Sequence, residues 1–492
     1  MADYILAVDQ GTTGTTVLVI GTDLSVKARV NQEFQQHYPR PGWVEHAPEE
    51  IWGSVSATIA RAVREANVSP SEIKAVGITN QRETTVVWDR ATGAPIHNAI
   101  VWQDRRTSEQ MARLKAEGHE PHVKAKTGLV LDPYFSGSKI AWILDHVEGA
   151  RARAARGELA FGTIDTWVLW KMTGGKAHKT DVSNASRTLL MDLEQQRWDD
   201  ELLGLLRVPR EVLPEVCGNA ELFGVVQGVE GLQDGTPICG MAGDQQAALF
   251  GQACFEAGEA KCTYGTGAFL LMNTGSRPVA SRAGLLTTAA WRIGGVSTYA
   301  LEGSAFIAGA AVQWLRDGLG IIQRSSDIEA LARSVPDSAG VVFVPALTGL
   351  GAPHWDPDAR GVIHGLTRGT TRGHLARATL EGIAFQNVDI LRAMESDLGE
   401  RLTSLKVDGG ASANDLLMQF QSDTLDCPIV RPAMTDTTAL GSGLLAGLAA
   451  GLFKDLDAIR SAWRAERRFE PSMSAQERDE HMARWRRGLA RV

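Results

Sequence analysis

Two Gly/Thr turns, each set between short apolar runs, constrain this chain more than any other feature. Residues 4–8 are an apolar run that ends in Asp9-Gln10-Gly11-Thr12-Thr13-Gly14-Thr15-Thr16, and residues 17–20 are apolar again. Just past the midpoint comes Thr263-Tyr264-Gly265-Thr266-Gly267-Ala268-Phe269. Strand, Gly/Thr turn, strand predicts a hairpin in which backbone N–H groups and hydroxyls come close to an anion. A Walker A loop would instead run from a strand into a helix and carry a Gly-Lys-Ser/Thr ending. Taken singly, each turn reads equally well as an ordinary polar hairpin. An acidic residue at the head of the first turn, Asp9, suits a Mg²⁺ held through water.

A third turn follows the apolar run 405–407: Asp408-Gly409-Gly410-Ala411-Ser412-Ala413-Asn414, leading into a predicted helix near 416–425. Strand, Gly-Gly and helix N-terminus let backbone approach a flat ring or a phosphate. Ahead of the second turn lies Gly243-Asp244-Gln245-Gln246, at the mouth of a small-residue run ending at Gly251. A carboxylate beside a phosphate turn is what a kinase needs when its acceptor is a plain alcohol. Asp244 reads alternatively as a helix N-cap.

The polar loop between two predicted strands contains Arg82-Glu83, either a surface ion pair or a donor and acceptor for a polyol. Trp102 is either core or a flat wall for a small carbon skeleton. His119 and His122 lack a wider ligand cluster and read as surface histidines. Helices are predicted over 48–66, 165–172, 307–319 and 371–397, and the charged tail 474–491 reads as a solvated helix. The Gly-rich apolar run 439–452 is too short to span a membrane.

At 492 residues the chain predicts two or three domains. A formal net charge of −8 gives no basic field for nucleic acid, so phosphate must be neutralised locally. Five cysteines with no CxxC pair favour free thiols in a reducing cytoplasm. The N-terminal residues carry no basic run of a signal peptide, which fits the same compartment.

Three turns bearing on one nucleotide resemble the actin/Hsp70 (ribonuclease H-like) ATPase fold: α/β, two such domains, and a cleft between them. The expected division is 1–252 and 253–492. More narrowly, five segments are similar to the glycerol-phosphorylating members of the FGGY carbohydrate kinase family. They are Asp9–Thr13, Gly42-Trp-Val-Glu-His46, Gly77-Ile-Thr-Asn-Gln-Arg-Glu-Thr-Thr85, Asp132-Pro-Tyr-Phe-Ser-Gly137 and Ala242-Gly-Asp-Gln-Gln246. The resemblance implies ATP-dependent phosphorylation of glycerol, with Mg²⁺, by a homo-oligomer (dimer or tetramer). It implies Asp244 as general base. Arg82, Glu83, Tyr134, Asp244 and Gln245 would bond the glycerol hydroxyls, with Trp102 and Phe269 as walls. Thr12, Thr13, Gly14 and Thr266 would meet the phosphates, and Gly309, Gln313, Gly410 and Asn414 the rest of the nucleotide. Asp9 would position the metal.

Two departures stand out. Where the family commonly has an arginine three residues after the Thr-Thr pair, this chain has Thr16. The region matching a Gly-Gly-Thr-Arg loop for fructose 1,6-bisphosphate, residues 228–236, has no arginine. Two other readings stay open: a related kinase for another polyol or a ketose, and a non-catalytic ATP-dependent sensor.

Overall fold

The computed structural model describes residues 3–356 and 358–492. Its frame is two sheets built on one plan. The first uses β1 (Tyr4–Gln10), β2 (Gly14–Gly21), β3 (Val26–Glu33), β4 (Ile73–Asn80), β5 (Ala220–Val225) and β6 (Pro237–Gly243). They lie in the order β5-β6-β4-β1-β2-β3. The β1–β2–β3 meander is antiparallel, and β4 runs parallel to both β1 and β6.

The second sheet uses β7 (Ala260–Tyr264), β8 (Ala268–Gly275), β9 (Leu286–Ile293), β10 (Val296–Ala305), β11 (Leu405–Asp408), β12 (Ile429–Pro432) and β13 (Ala465–Phe469). Their order is β9-β10-β8-β7-β11-β12-β13. Again an antiparallel meander abuts a parallel strand, here β7 beside β11. The two Gly/Thr turns are the β1–β2 and β7–β8 hairpins, at equivalent places in the two sheets.

The buried faces are near-continuous aliphatic runs such as Ile5, Leu6, Ala7 and Val8, as expected of strands covered on both sides. The Pro48–Ala66 helix covers one face of the first sheet through Ile51, Val55, Ile59 and Val63, a stripe at helical spacing. The other face is covered by a helix from the far end of the chain, Thr437–Ala449. This is the apolar run that is too short to span a membrane. Its small residues allow backbone contact. A Cβ on Gly441 would lie 1.8 Å from the Ala247 carbonyl oxygen, and one on Gly77 would lie 2.1 Å from that of Ser442. The Asp244–Gly251 helix and the Thr437–Ala449 helix therefore cross in contact between the sheets.

The charged tail differs from expectation. The Ala475–Leu489 helix has a capping box from Ser474 and Glu477 and an exposed face of charge. However, Trp485 is fully buried, stacks on Phe385 at 5.4 Å, and donates its indole N–H to Asp389 at 2.7 Å. One aromatic anchor, hidden among charges, docks the helix onto the second core.

Candidate active site

The first hairpin turn places Asp9 within electrostatic reach of Asp244 and Asp436, and Thr12 in hydrogen-bond contact with Trp102. Gly14 is required by close packing, because a Cβ there would sit 2.8 Å from the Gln32 carbonyl oxygen. Burial, and the carboxylates of Asp244 and Asp436, raise the Asp9 pKa to about 7, partly offset by Arg29.

Asp244 follows β6 as the first residue of its helix, and Gly243 is the N-cap. The N-cap alternative for Asp244 therefore does not hold. Its Oδ1 accepts from the Gln245 N–H at 2.7 Å and lies 3.2 Å from Arg82 Nε. The side chain is part-exposed, so it remains open to a ligand while Arg82 is buried behind it.

Arg82 and Glu83 are not a surface pair; both are buried at the end of β4. Glu83 has φ 61°, a left-handed conformation costly for a residue with a side chain. Arg187 holds it there, donating from Nε to Glu83 Oε1 at 2.7 Å. Arg82 donates from Nη1 and Nη2 to both oxygens of Glu302, at 2.6 and 2.9 Å, and Arg187 donates from Nη2 to Glu302 at 3.0 Å. Glu302 stands on β10 of the second sheet. Burial works against its charge, but Arg187 and Arg82 outweigh it and hold the carboxyl at about 2. Glu83 is raised by burial, only partly countered by the same two guanidiniums. One of the two Nη2 hydrogens of Arg82 and the second Glu83 oxygen are left for a polar ligand.

Tyr134 lies beside this cluster, its ring 5.5 Å from the Arg187 guanidinium and edge-on to Trp102 at 5.6 Å. Burial and Glu83 keep the phenol protonated. Trp102 is half-buried and donates its indole N–H to Thr12 Oγ1 at 2.9 Å. It therefore joins the polyol wall to the first phosphate turn. Gln245 and Phe269 meet through Lys261, whose ammonium donates to Gln245 Oε1 and, at 3.3 Å, to the Phe269 carbonyl oxygen.

On the other side of the gap is a cavity of about 460 Å³, lined by Thr266, Gly309, Gln313, Gly410 and Asn414 among others. All five were singled out from sequence. Gly410 has nothing of the protein within 4 Å of where its Cβ would be, whereas Gly409, at φ 82°, packs against the Tyr264 backbone. The Asn414 carbonyl oxygen atom Oδ1 is committed to the helix, accepting from the Leu417 N–H at 2.9 Å, so only its amide N–H₂ faces a ligand. Thr12, Thr13 and Gly14 lie on the opposite turn, outside this lining.

Sequence reasoning missed Arg187, Glu302 and Lys261. Glu302 and Lys261 lie within strands and Arg187 in the turn after a short helix, and each reads in sequence as an isolated charge. Among the described residues no group of three or more His, Cys, Asp or Glu is placed to hold a metal directly. A divalent cation arriving with a nucleotide suits this site better: the Asp9 carboxyl, crowded by two others, gains a counter-charge without a protein cage.

The family models give the lineage. Residues 4–251 match the N-terminal domain of the FGGY family of carbohydrate kinases, and residues 260–450 match its C-terminal domain. The chain belongs to the FGGY family. It is 60% identical over 493 residues to a glycerol kinase of Myxococcus xanthus, covering 100% of this chain and 99% of that one. To a glycerol kinase of Deinococcus radiodurans it is 56% identical, covering 99% and 97%. Its structure is similar to that of Plasmodium falciparum glycerol kinase with ADP, at a TM-score of 0.95, 38% identity, and coverage of 100% and 98%. As an FGGY carbohydrate kinase the chain is expected to use ATP. No helix among the described residues is long and apolar enough to cross a membrane.

Proposed function

We propose that this chain is a glycerol kinase, transferring the γ-phosphoryl group of ATP to glycerol to give sn-glycerol 3-phosphate and ADP. The observation that carries it is Asp244, a part-exposed carboxylate beside buried Arg82 and close enough to act on Asp9 at the head of the first Gly/Thr turn. Arg82, Glu83, Tyr134, Asp244 and Gln245 would hold the three hydroxyls, and Trp102 and Phe269 would wall the carbon edge. Thr12, Thr13, Gly14 and Thr266 would meet the phosphates, with Gly309, Gln313, Gly410 and Asn414 around the nucleoside.

The glycerol oxygen bonds to the γ-phosphorus as the bond from that phosphorus to the β,γ-bridging oxygen breaks, and Asp244 accepts the hydroxyl proton. A strong base is not required, because in a loose transition state the proton leaves late and alignment dominates. Mg²⁺, held through water near Asp9, would neutralise phosphate oxygens. Glu83 and Arg82 are desolvated, so an alcohol lacking a hydroxyl leaves one of them unpaired; such sites reject analogues by about 10⁴–10⁵.

The working division of the chain is 1–252 and 253–492. Buried cysteines without disulfides favour the cytoplasm, and a homo-oligomer remains our expectation. A coupled assay of ADP release with glycerol, dihydroxyacetone, erythritol and xylulose tests the reading. Fast release with glycerol alone supports it. Preference for erythritol or xylulose would replace the substrate, and alcohol-independent release would replace the enzyme class.

A further inference from the structure

The phosphate side of the gap has a charge problem. Asp9, Asp244 and Asp436 bring three carboxylates to the place where a nucleotide's phosphates would lie, with Asp244 and Asp436 both acting on Asp9. A cation is needed there, and most candidates are already committed. Arg82 and Arg187 are held at the polyol end by Glu302, although Arg187 Nη1 has no partner among the described residues. The Lys261 ammonium spends all three donors on Gln245, Thr263 and Phe269. Arg431 binds Glu466, Asp415 and the Ser412 carbonyl.

Arg29 is different. In the β1–β2–β3 register Asp9 pairs with Thr16 and Thr16 with Asn31, so Asp9, Thr16 and Asn31 form one row. Arg29 lies two residues from Asn31, on the same face of the sheet as Asp9. Its Nε and Nη2 each donate to Asp436 at 2.9 Å, while Nη1 has no partner among the described residues. The side chain is 51% exposed. It lines a cavity of about 510 Å³ together with Gly409, Gly410 and Ser412, and Gly410 also lines the cavity of about 460 Å³ described above. Position 16, on β2 and opposite Asn31, one same-face step along the register from Arg29, is where the family resemblance led to an expected arginine and the chain has threonine.

We propose that Arg29 is the phosphate-binding cation of this cleft, donating through Nη1 to the nucleotide's phosphates from β3 in place of a side chain on β2. Asp436 engages the guanidinium through Nε and Nη2 and leaves Nη1 free, while its own charge opposes the phosphates. The inference rests on the nucleotide reading above.

The test is calorimetric binding of ADP and of adenosine to the purified full chain, without glycerol. Arg29→Ala should weaken ADP binding about tenfold or more, the value of a shielded charged hydrogen bond to phosphate, and leave adenosine binding unchanged. Arg29→Ala combined with Thr16→Arg should recover most of the ADP affinity. Asp436→Asn should leave ADP affinity unchanged or raise it, since it removes a repelling charge and frees the guanidinium. An Arg29→Ala variant that binds ADP within about twofold of the parent overturns the proposal. So does a parallel loss in Arg29→Ala and Asp436→Asn that extends to adenosine, which would make the pair a clamp between the two halves. A melting curve on each variant separates misfolding from lost binding. Should the parent chain fail to bind ADP at all, the proposed function falls first.

Discussion

Arg82, at the end of a strand in the first sheet, and Glu302, on a strand of the second, share two hydrogen bonds of 2.6 and 2.9 Å in a buried setting. Residues 220 positions apart thus fix the polyol end of the gap across both halves of the chain. Arg187 binds the same carboxylate and also Glu83, so two guanidiniums and two carboxylates balance. A buried group of this kind contributes little net stability when whole, but breaking it leaves an uncompensated charge.

Glu302→Gln should therefore cost about 3–5 kcal/mol of stability by urea unfolding, because two buried guanidiniums lose their shared counter-charge. KM for glycerol should rise more than KM for ATP, since Arg82 and Glu83 lose their fixed positions. A neutral variant with parent stability would show that the cluster is wet.

Gly441→Ala places a methyl group where the Ala247 carbonyl oxygen already stands, 1.8 Å from the new Cβ. The two crossing helices must separate, at an expected cost of about 1–3 kcal/mol. Because Asp244 begins one of those helices, kcat should fall with the melting temperature. Full activity at lowered stability would detach the crossing from the chemistry.

Trp102→Phe retains the ring and removes the indole N–H bonded to Thr12. A loss of about 1 kcal/mol, the value of one such bond, should appear in kcat/KM for ATP as well as in that for glycerol. An effect on glycerol alone would mean that the wall and the phosphate turn act separately.

His178 is depressed to about 4 by burial, with Arg90 beside it, and its ring nitrogens bond the Phe161 carbonyl oxygen and Arg90. The unfolded chain binds this proton below about 6.5, whereas the folded chain does so only near 4. Stability should fall as pH drops through that window, by at most about 3 kcal/mol from this group. His178→Gln should flatten the slope of unfolding free energy between those pH values; an unchanged slope would assign it to the carboxylates.

The turns were legible in sequence because they recur at strand ends, although each alone also reads as an ordinary hairpin. All five nucleotide positions drawn from the second half line one cavity, and Arg82 and Glu83 were flagged from a polar loop. What sequence hid was pairing over distance. Glu302 sits in a mostly buried strand and Arg187 after a short helix, and nothing local in the sequence distinguishes them from surface charges. The tail helix misled for the opposite reason, since a single Trp485 outweighs its charged faces. Gly441 and Gly77 read as weak helix and strand positions until the close helix and strand contacts explain them.

The most direct measurement is turnover of the Asp244→Asn variant set beside its ADP affinity. The account predicts a fall in kcat of at least about 10²–10⁴-fold, the contribution of a positioned general base, with ADP binding nearly intact. A variant that turns glycerol over within a few-fold of the parent, or that loses ADP binding as sharply as turnover, would contradict it.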